Sequence, residues 1–247
     1  MEFLALHELA ILRFLHILAM VYWLGGEWAV YQTSNKVVDP SLTVPERMRH
    51  LDTVFRIDVV SRIGIVSLLP LGLHMGHLWG VQPYGGNFLV AVWLIWAGWV
   101  AVTIQAFRSK MGRYRGVASR LEDWSRYIAI PLVIGVGASS LMGLGPFEAG
   151  EGQQWYSAKL IVFGATLIIG LVLRYYLHEW PSLFQRLAKG PDDAAEARIA
   201  TLIRKARKSG LDRKLPCQFI RQHAPMAMQD DYIALWDAFV QEAEPQL

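Results

Sequence analysis

Five stretches of the chain are apolar almost without interruption: Leu9–Tyr31, Ile63–Val81, Phe88–Phe107, Tyr127–Leu144 and Tyr156–Leu177. Each approaches the roughly 20 apolar residues that a helix needs to cross a bilayer. The pattern predicts an all-α, multi-pass membrane bundle of five spans. The first span is too long and too rich in Trp and Gly for a cleavable leader, and it lacks a small-residue cleavage site. Between the first two spans, residues 32–62 read as polar and partly helical.

Past Trp180 the pattern changes, and no apolar run of spanning length remains. Asp192 and Asp193 predict the start of a helix reaching about Ser209, with Gly210 as its stop. Its polar face carries Arg198, Arg204, Lys205, Arg207 and Lys208. An acidic amphipathic helix fits Gln229–Ala243. The expected division is therefore a membrane bundle over residues 1–180 and a small helical appendage over residues 181–247.

Composition agrees. Of 247 residues 53% are apolar and only 18% charged, against about 25% charged in soluble domains. Aromatic residues make up 12%, and Trp and Tyr favour membrane interfaces. The single Cys, Cys217, excludes an intrachain disulfide and Cys-based clusters. No phosphate-binding loop, dinucleotide fingerprint, nucleophile elbow or zinc-protease motif occurs. No motif supports nucleic-acid binding; the basic stripe of the tail reads as a face attracted to anionic headgroups.

Charge fixes an orientation. Basic loops stay on the cytoplasmic side. Lys36, Arg47, Arg49, Arg56 and Arg62 precede the second span, and Arg108, Lys110, Arg113, Arg115, Arg120 and Arg126 lie between the third and fourth. The intervening segments hold no base; one carries Glu148 and Glu151. This predicts a bacterial-type inner-membrane protein with its N-terminus outside and its C-terminus in the cytoplasm, where Cys217 stays reduced.

Ionisable groups inside a bilayer cost several kcal/mol each, so those within spans mark candidate sites. The first span holds Arg13, His16 and Glu27. At helical spacing His16, Met20, Trp23 and Glu27 share a face, with Arg13 beside them. Glu27 is expected to pair with Arg56 or Arg62. The second span ends in His74-Met75-Gly76-His77. With the first two spans antiparallel, His16 and His74 both fall roughly 10–12 Å below the outer surface, with His77 about a turn shallower. Imidazoles at one depth on neighbouring helices suit a b-type haem held edge-on, and Gly72, Gly76 and Gly80 would let a flat macrocycle approach. Lys159 opens the fifth span, also near the outer face, as a cation for a propionate or a substrate carboxylate. His178 reads as interfacial.

The first span reads L-H-I-L-A-M-V-Y-W-L-G-G over residues 15–26, placing His16, Trp23 and Gly26 in the pattern L-H-x6-W-x-x-G. The fifth opens with Trp155, Lys159 and Leu160 as W-x-x-x-K-L. Both resemble motifs of the CopD and HemJ superfamily of haem-b or copper-related membrane proteins. The resemblance implies a four-helix core, a haem-ligand role for His16 and a polar site role for Lys159. The Arg that HemJ-type sequences place after the Trp–Gly pair is absent here, and the Trp–Lys motif opens the fifth span rather than the third.

Four functions are open at this point. The first is membrane electron transfer through haem b, ligated by His16 with His74 or His77 and flanked by Arg13, Trp23, Gly26 and Lys159. Its counterpart would be a quinone or a redox partner subunit, with Trp79, Tyr84 and Trp155 as an aromatic mouth. The second is HemJ-like protoporphyrinogen oxidation, with the porphyrin propionates met by Arg13 and Lys159. The third is CopD-like copper transport through Met20, His74, Met75 and His77. The fourth is an accessory membrane subunit that docks a partner through its tail.

Overall fold

The computed structural model describes residues 2–111, 117–147, 154–177 and 179–210. The acidic helix expected at Gln229–Ala243, together with Cys217, His178, Glu148 and Glu151, lies outside the described residues. Within them the chain forms seven helices and no strand: α1 (Glu2–Val37), α2 (Val44–Leu78), α3 (Asn87–Met111), α4 (Val117–Leu141), α5 (Gln154–Leu177), α6 (Trp180–Leu187) and α7 (Asp193–Gly210).

Four segments are long and apolar enough to cross a membrane: His7–Val37, Asn87–Arg108, Val117–Leu141 and Gln154–Leu173. They turn large apolar side chains outward, with Leu94 68%, Ile128 62% and Leu132 60% exposed. Such exposure is a liability in water and the expected state against lipid tails. The second expected span is less apolar. It is the C-terminal half of α2, where Ser67, Pro70, His74 and His77 interrupt the aliphatic residues.

The helix α2 also begins earlier than the hydrophobic pattern implies. Its start is a capping box: Thr43 N and Oγ1 both donate to the Glu46 carboxylate, at 2.9 and 2.7 Å. No glycine or proline then interrupts the helix until Gly64, so the polar segment and the apolar one form one rod. Its end is equally defined. Gly80 adopts φ +70°, and the Val81 amide reaches back 2.9 Å to the Gly76 carbonyl, the left-handed stop that glycine tolerates best. Likewise α4 starts ten residues before the apolar run at Tyr127, because its polar first turns bury Ser119, Glu122 and Arg126.

The chain divides into two compact units. One comprises Met1–Thr33 and Arg49–Ile168; the other comprises Ser34–Met48 and Ile169–Leu247.

In the first unit small residues set the helix crossings, as they do where lipid supplies no hydrophobic drive for association. Along the antiparallel α1–α2 pair, Gly26 lies against Ser61, Gly64 against Ala19 and Trp23, and Gly72 against His16. A Cβ at Gly64 would fall 2.8 Å from the Ala19 carbonyl oxygen. Gly137 makes the equivalent close approach of α4 to Ser157 and Ile161 on α5. One apolar cluster gathers Leu73, Val133, Phe147, Tyr156 and Leu160; another gathers Ile65, Val66 and Leu167 with Trp23, Trp96 and Trp99 around them.

The second unit is built on α6 and α7. The short helix α6 went unread in the sequence. It buries Trp180, Leu183, Phe184 and Leu187, an i, i+3, i+4, i+7 stripe. The apolar residues Ala195, Ile199, Leu202 and Ile203 of α7 are also buried. Asp192 caps α7 as its position predicts, accepting the Ala195 amide at 2.9 Å. Arg47, 2% exposed, joins this unit: Nε donates to the Val37 carbonyl at 2.8 Å, and Nη1 and Nη2 donate to Glu196 at 2.6 and 3.0 Å. Its guanidinium also sits 5.2 Å from the centre of the Phe184 ring.

Candidate functional site

Every candidate site residue lies in the first unit, and they fall into two groups. The first group gathers Arg13 and His16 of α1, Trp79 in the turn just after α2, and Trp155 and Lys159 of α5. The Arg13 guanidinium lies 5.7 Å from the Trp79 ring, Trp79 meets Trp155 edge-on at 6.0 Å, and the Lys159 ammonium lies 4.6 Å from the Trp155 ring. Two cations are thus held by two indole faces, and among the described residues no carboxylate forms an ion pair with either. Lys159 is also within electrostatic reach of His16. His16 and Lys159 thus approach each other in the fold although they are 143 positions apart in sequence.

The three histidines have different surroundings. His16 faces Gly72, and its Nδ1 is buried with no hydrogen-bond partner. His74 is fully engaged: Trp93 Nε1 donates to its Nδ1 at 3.3 Å, and its Nε2 lies 3.2 Å from the Glu8 carboxylate. His77 packs against Gly85 in the α2–α3 connection, with its Nδ1 buried and unpartnered. Spacing placed His74 and His77 on one side of their helix, but their partners differ: His74 meets α1 and α3, whereas His77 meets the connection.

Two residues that the sequence did not single out shape this region. Tyr156 is buried, its ring fills the space beside Gly76, and its hydroxyl donates to the Gly72 carbonyl at 3.5 Å. The glycine face of α2 is thus occupied by Tyr156 and His16 rather than open along its length. Gln82, fully buried, ties down the connection: its amide donates to the Leu73 and Tyr84 carbonyls at 3.0 and 2.8 Å, and its Oε1 accepts the Tyr84 amide at 2.7 Å. Tyr156 follows the motif residue Trp155 directly, but nothing in the sequence gives its rotational phase against α2.

Trp23 and Gly26 lie at the α1–α2 crossing. The Trp23 carbonyl accepts Ser61 Oγ at 3.0 Å, and a Cβ on Gly26 would meet the Ser61 Cβ at 2.8 Å. Both motif positions thus have packing roles there.

The second group is a polar network. Glu27 pairs with neither Arg56 nor Arg62, contrary to expectation; it bonds the Ser61 hydroxyl at 2.9 Å. Arg62 is held instead by Asp58, four residues before it on α2, and by Glu122 on α4 at 3.1 Å. Arg126 meets the same Glu122 carboxylate at 3.1 Å. Two acids and two arginines balance one another, and the network ties α2 to α4.

The residues fit a haem in part. Among the described residues, His16 and His77 offer buried imidazole nitrogens without hydrogen-bond partners, and Arg13 and Lys159 offer cations without carboxylate partners. His74 and the glycine face at Gly76 are already committed. Among the described residues no group of three or more His, Cys, Asp or Glu side chains converges on a metal position. Met75, a candidate for copper, is buried in an apolar cluster with Leu12 and Leu71. No known protein family, curated protein or solved structure matches the chain.

Proposed function

We propose that this chain is a haem b-binding redox protein of the bacterial inner membrane. It crosses the bilayer five times, with α2 as the additional span, its N-terminus outside and its C-terminal region in the cytoplasm. One observation carries the reading: a buried imidazole nitrogen on His16 that has no hydrogen-bond partner among the described residues, within electrostatic reach of Lys159, which forms no ion pair with a carboxylate among them. His16 and His77 would hold the haem iron, in preference to His74, whose two ring nitrogens already have partners. Bound haem b supplies one-electron transfer between its ferric and ferrous states.

The protein's own groups do the rest. Arg13 and Lys159 would meet the two propionates as charge-assisted partners, and Trp79 and Trp155 hold those cations in place through their ring faces. Tyr156 and Gln82 fix α5 and the α2–α3 connection beside the ligands. A quinone or a partner subunit exchanges electrons at the aromatic edge formed by Tyr84, Trp79 and Trp155. The same two cations would also take the propionates of a porphyrinogen, so HemJ-like oxidation is the second reading.

The test is spectroscopic. Protein purified in mild detergent is expected to give a b-type reduced-minus-oxidised spectrum and a pyridine haemochrome, both lost in His16→Ala. A folded sample without haem overturns the proposal. Added porphyrinogen, turned over or left unchanged by the haem-loaded protein, separates the two readings.

A further inference from the structure

An open apolar groove of about 360 Å³ runs along the α1–α2 pair, lined by Val21, Tyr22, Gly25, Ile57 and Val60, with Arg56 as its one charged residue. Its volume is within the range of roughly 300–1,000 Å³ typical of small-molecule sites. Two features separate it from ordinary helix packing. Gly26 is explained by its contact with Ser61, but a Cβ on the adjacent Gly25 would meet nothing within 4 Å. The groove is thus left open by the protein's own side chains. Its walls also face outward: Val21, Tyr22 and Val60 are 57%, 55% and 43% exposed.

The charge has a definite place. Gly26 opposite Ser61 and Trp23 opposite Gly64 set the antiparallel register, which puts Arg56 level with the last turns of α1 near Tyr31. There Trp28 and Tyr31 stack at 5.8 Å, an aromatic pair of the kind found at headgroup depth. From Val21 to Ala29 the groove descends about 12 Å along α1, apolar in the bilayer interior and cationic at the interface. Arg56 forms no ion pair with a carboxylate among the described residues, although Asp52 lies one turn away on the same helix.

We infer that this groove is a binding site for one anionic phospholipid from the leaflet that the basic loops face. An acyl chain lies against Gly25, Val21 and Val60, and the headgroup phosphate is met by Arg56. Guanidinium suits phosphate because its planar donors bond two oxygens at once.

The full chain is reconstituted in nanodiscs containing equal phosphatidylglycerol and phosphatidylcholine, and co-purifying lipid is counted by native mass spectrometry. Phosphatidylglycerol is expected to be retained preferentially. Arg56→Gln lowers that preference about fivefold, Arg56→Lys keeps most of it, and Arg49→Gln, at an exposed cation outside the groove, leaves it unchanged. Gly25→Leu fills the groove and reduces retention of both lipids. Equal retention of the two lipids by the unaltered protein overturns the inference, as does an Arg49→Gln effect matching that of Arg56→Gln. Efficient cross-linking of a Gly25→Cys, Cys217→Ser protein into dimers also overturns it, because a second copy then occupies the groove.

Discussion

Two sets of arginine and lysine side chains in the first unit are treated in opposite ways. Around α2 and α4, Arg62 and Arg126 are matched to Asp58 and Glu122, and the carboxylate they share is 1% exposed. Near the start of α5 and on α1, Lys159 and Arg13 are exposed, lie against indole rings and form no ion pair with a carboxylate among the described residues. Removing charge from water is costly unless it is paired, so the matched set is what folding requires. The unmatched set is not demanded by folding and remains available to an anionic ligand. The contrast separates charge matched within the fold from charge left without a carboxylate partner among the described residues, without reference to any motif.

The contrast fails if the matched set can be removed cheaply. Glu122→Ala leaves Arg126 without its carboxylate and Arg62 with only Asp58. The expected loss is about 3–5 kcal/mol, read as a large fall in the thermal unfolding midpoint in detergent. Arg47→Met in the second unit breaks a bidentate pair with the half-exposed Glu196 and a bond to the Val37 carbonyl. Solvent screening on the Glu196 side reduces the expected cost to about 2 kcal/mol, measured by limited proteolysis within α6 and α7.

Lys159→Gln and Arg13→Gln sharpen the contrast from the other side. Each is expected to change stability by less than about 0.5 kcal/mol and to weaken haem retention roughly tenfold. A stability loss comparable to that of Glu122→Ala would place these cations in the structural class.

The smallest effect is expected at Asp192. Its carboxyl is held below the ordinary aspartate range, first by the Ala195 amide and then by Arg186. A depressed folded-state value means that this contribution is fully present above the unfolded aspartate value and is lost as pH falls through the folded one. Asp192→Ala is therefore expected to loosen α7 at neutral pH and to make little difference in acid, as followed by amide hydrogen exchange across α7.

Much of the fold was legible because hydropathy reports directly on contact with lipid. The long apolar segments, the small residues at the α1–α2 crossing and the cap at Asp192 all follow from local pattern. The early starts of α2 and α4 did not follow, since their first turns are polar and hydropathy carries no signal for a charge buried against a distant partner. Arg47 illustrates the limit: in sequence it is one base in a basic loop, and its partner Glu196 lies 149 residues away. The site was legible in its members more than in its geometry. Depth along a helix follows from the rise per residue, which is how His16 and His74 were expected at one level. Rotation about the helix axis does not, so the capture of His74 by Glu8 and Trp93, and of the Gly76 notch by Tyr156, emerged only from packing.

That separation of 149 residues between Arg47 and Glu196 also sets an order of events during synthesis. At about 5–20 residues per second, Arg47 leaves the ribosome roughly seven to thirty seconds before its carboxylate exists. Through that interval the guanidinium must stay hydrated or be borrowed by lipid phosphate, and the segment around it cannot close. The second unit is therefore the last part of the described chain to mature, whatever the order in which the apolar helices enter the bilayer. Any truncation ahead of Glu196 would leave its keystone cation permanently waiting.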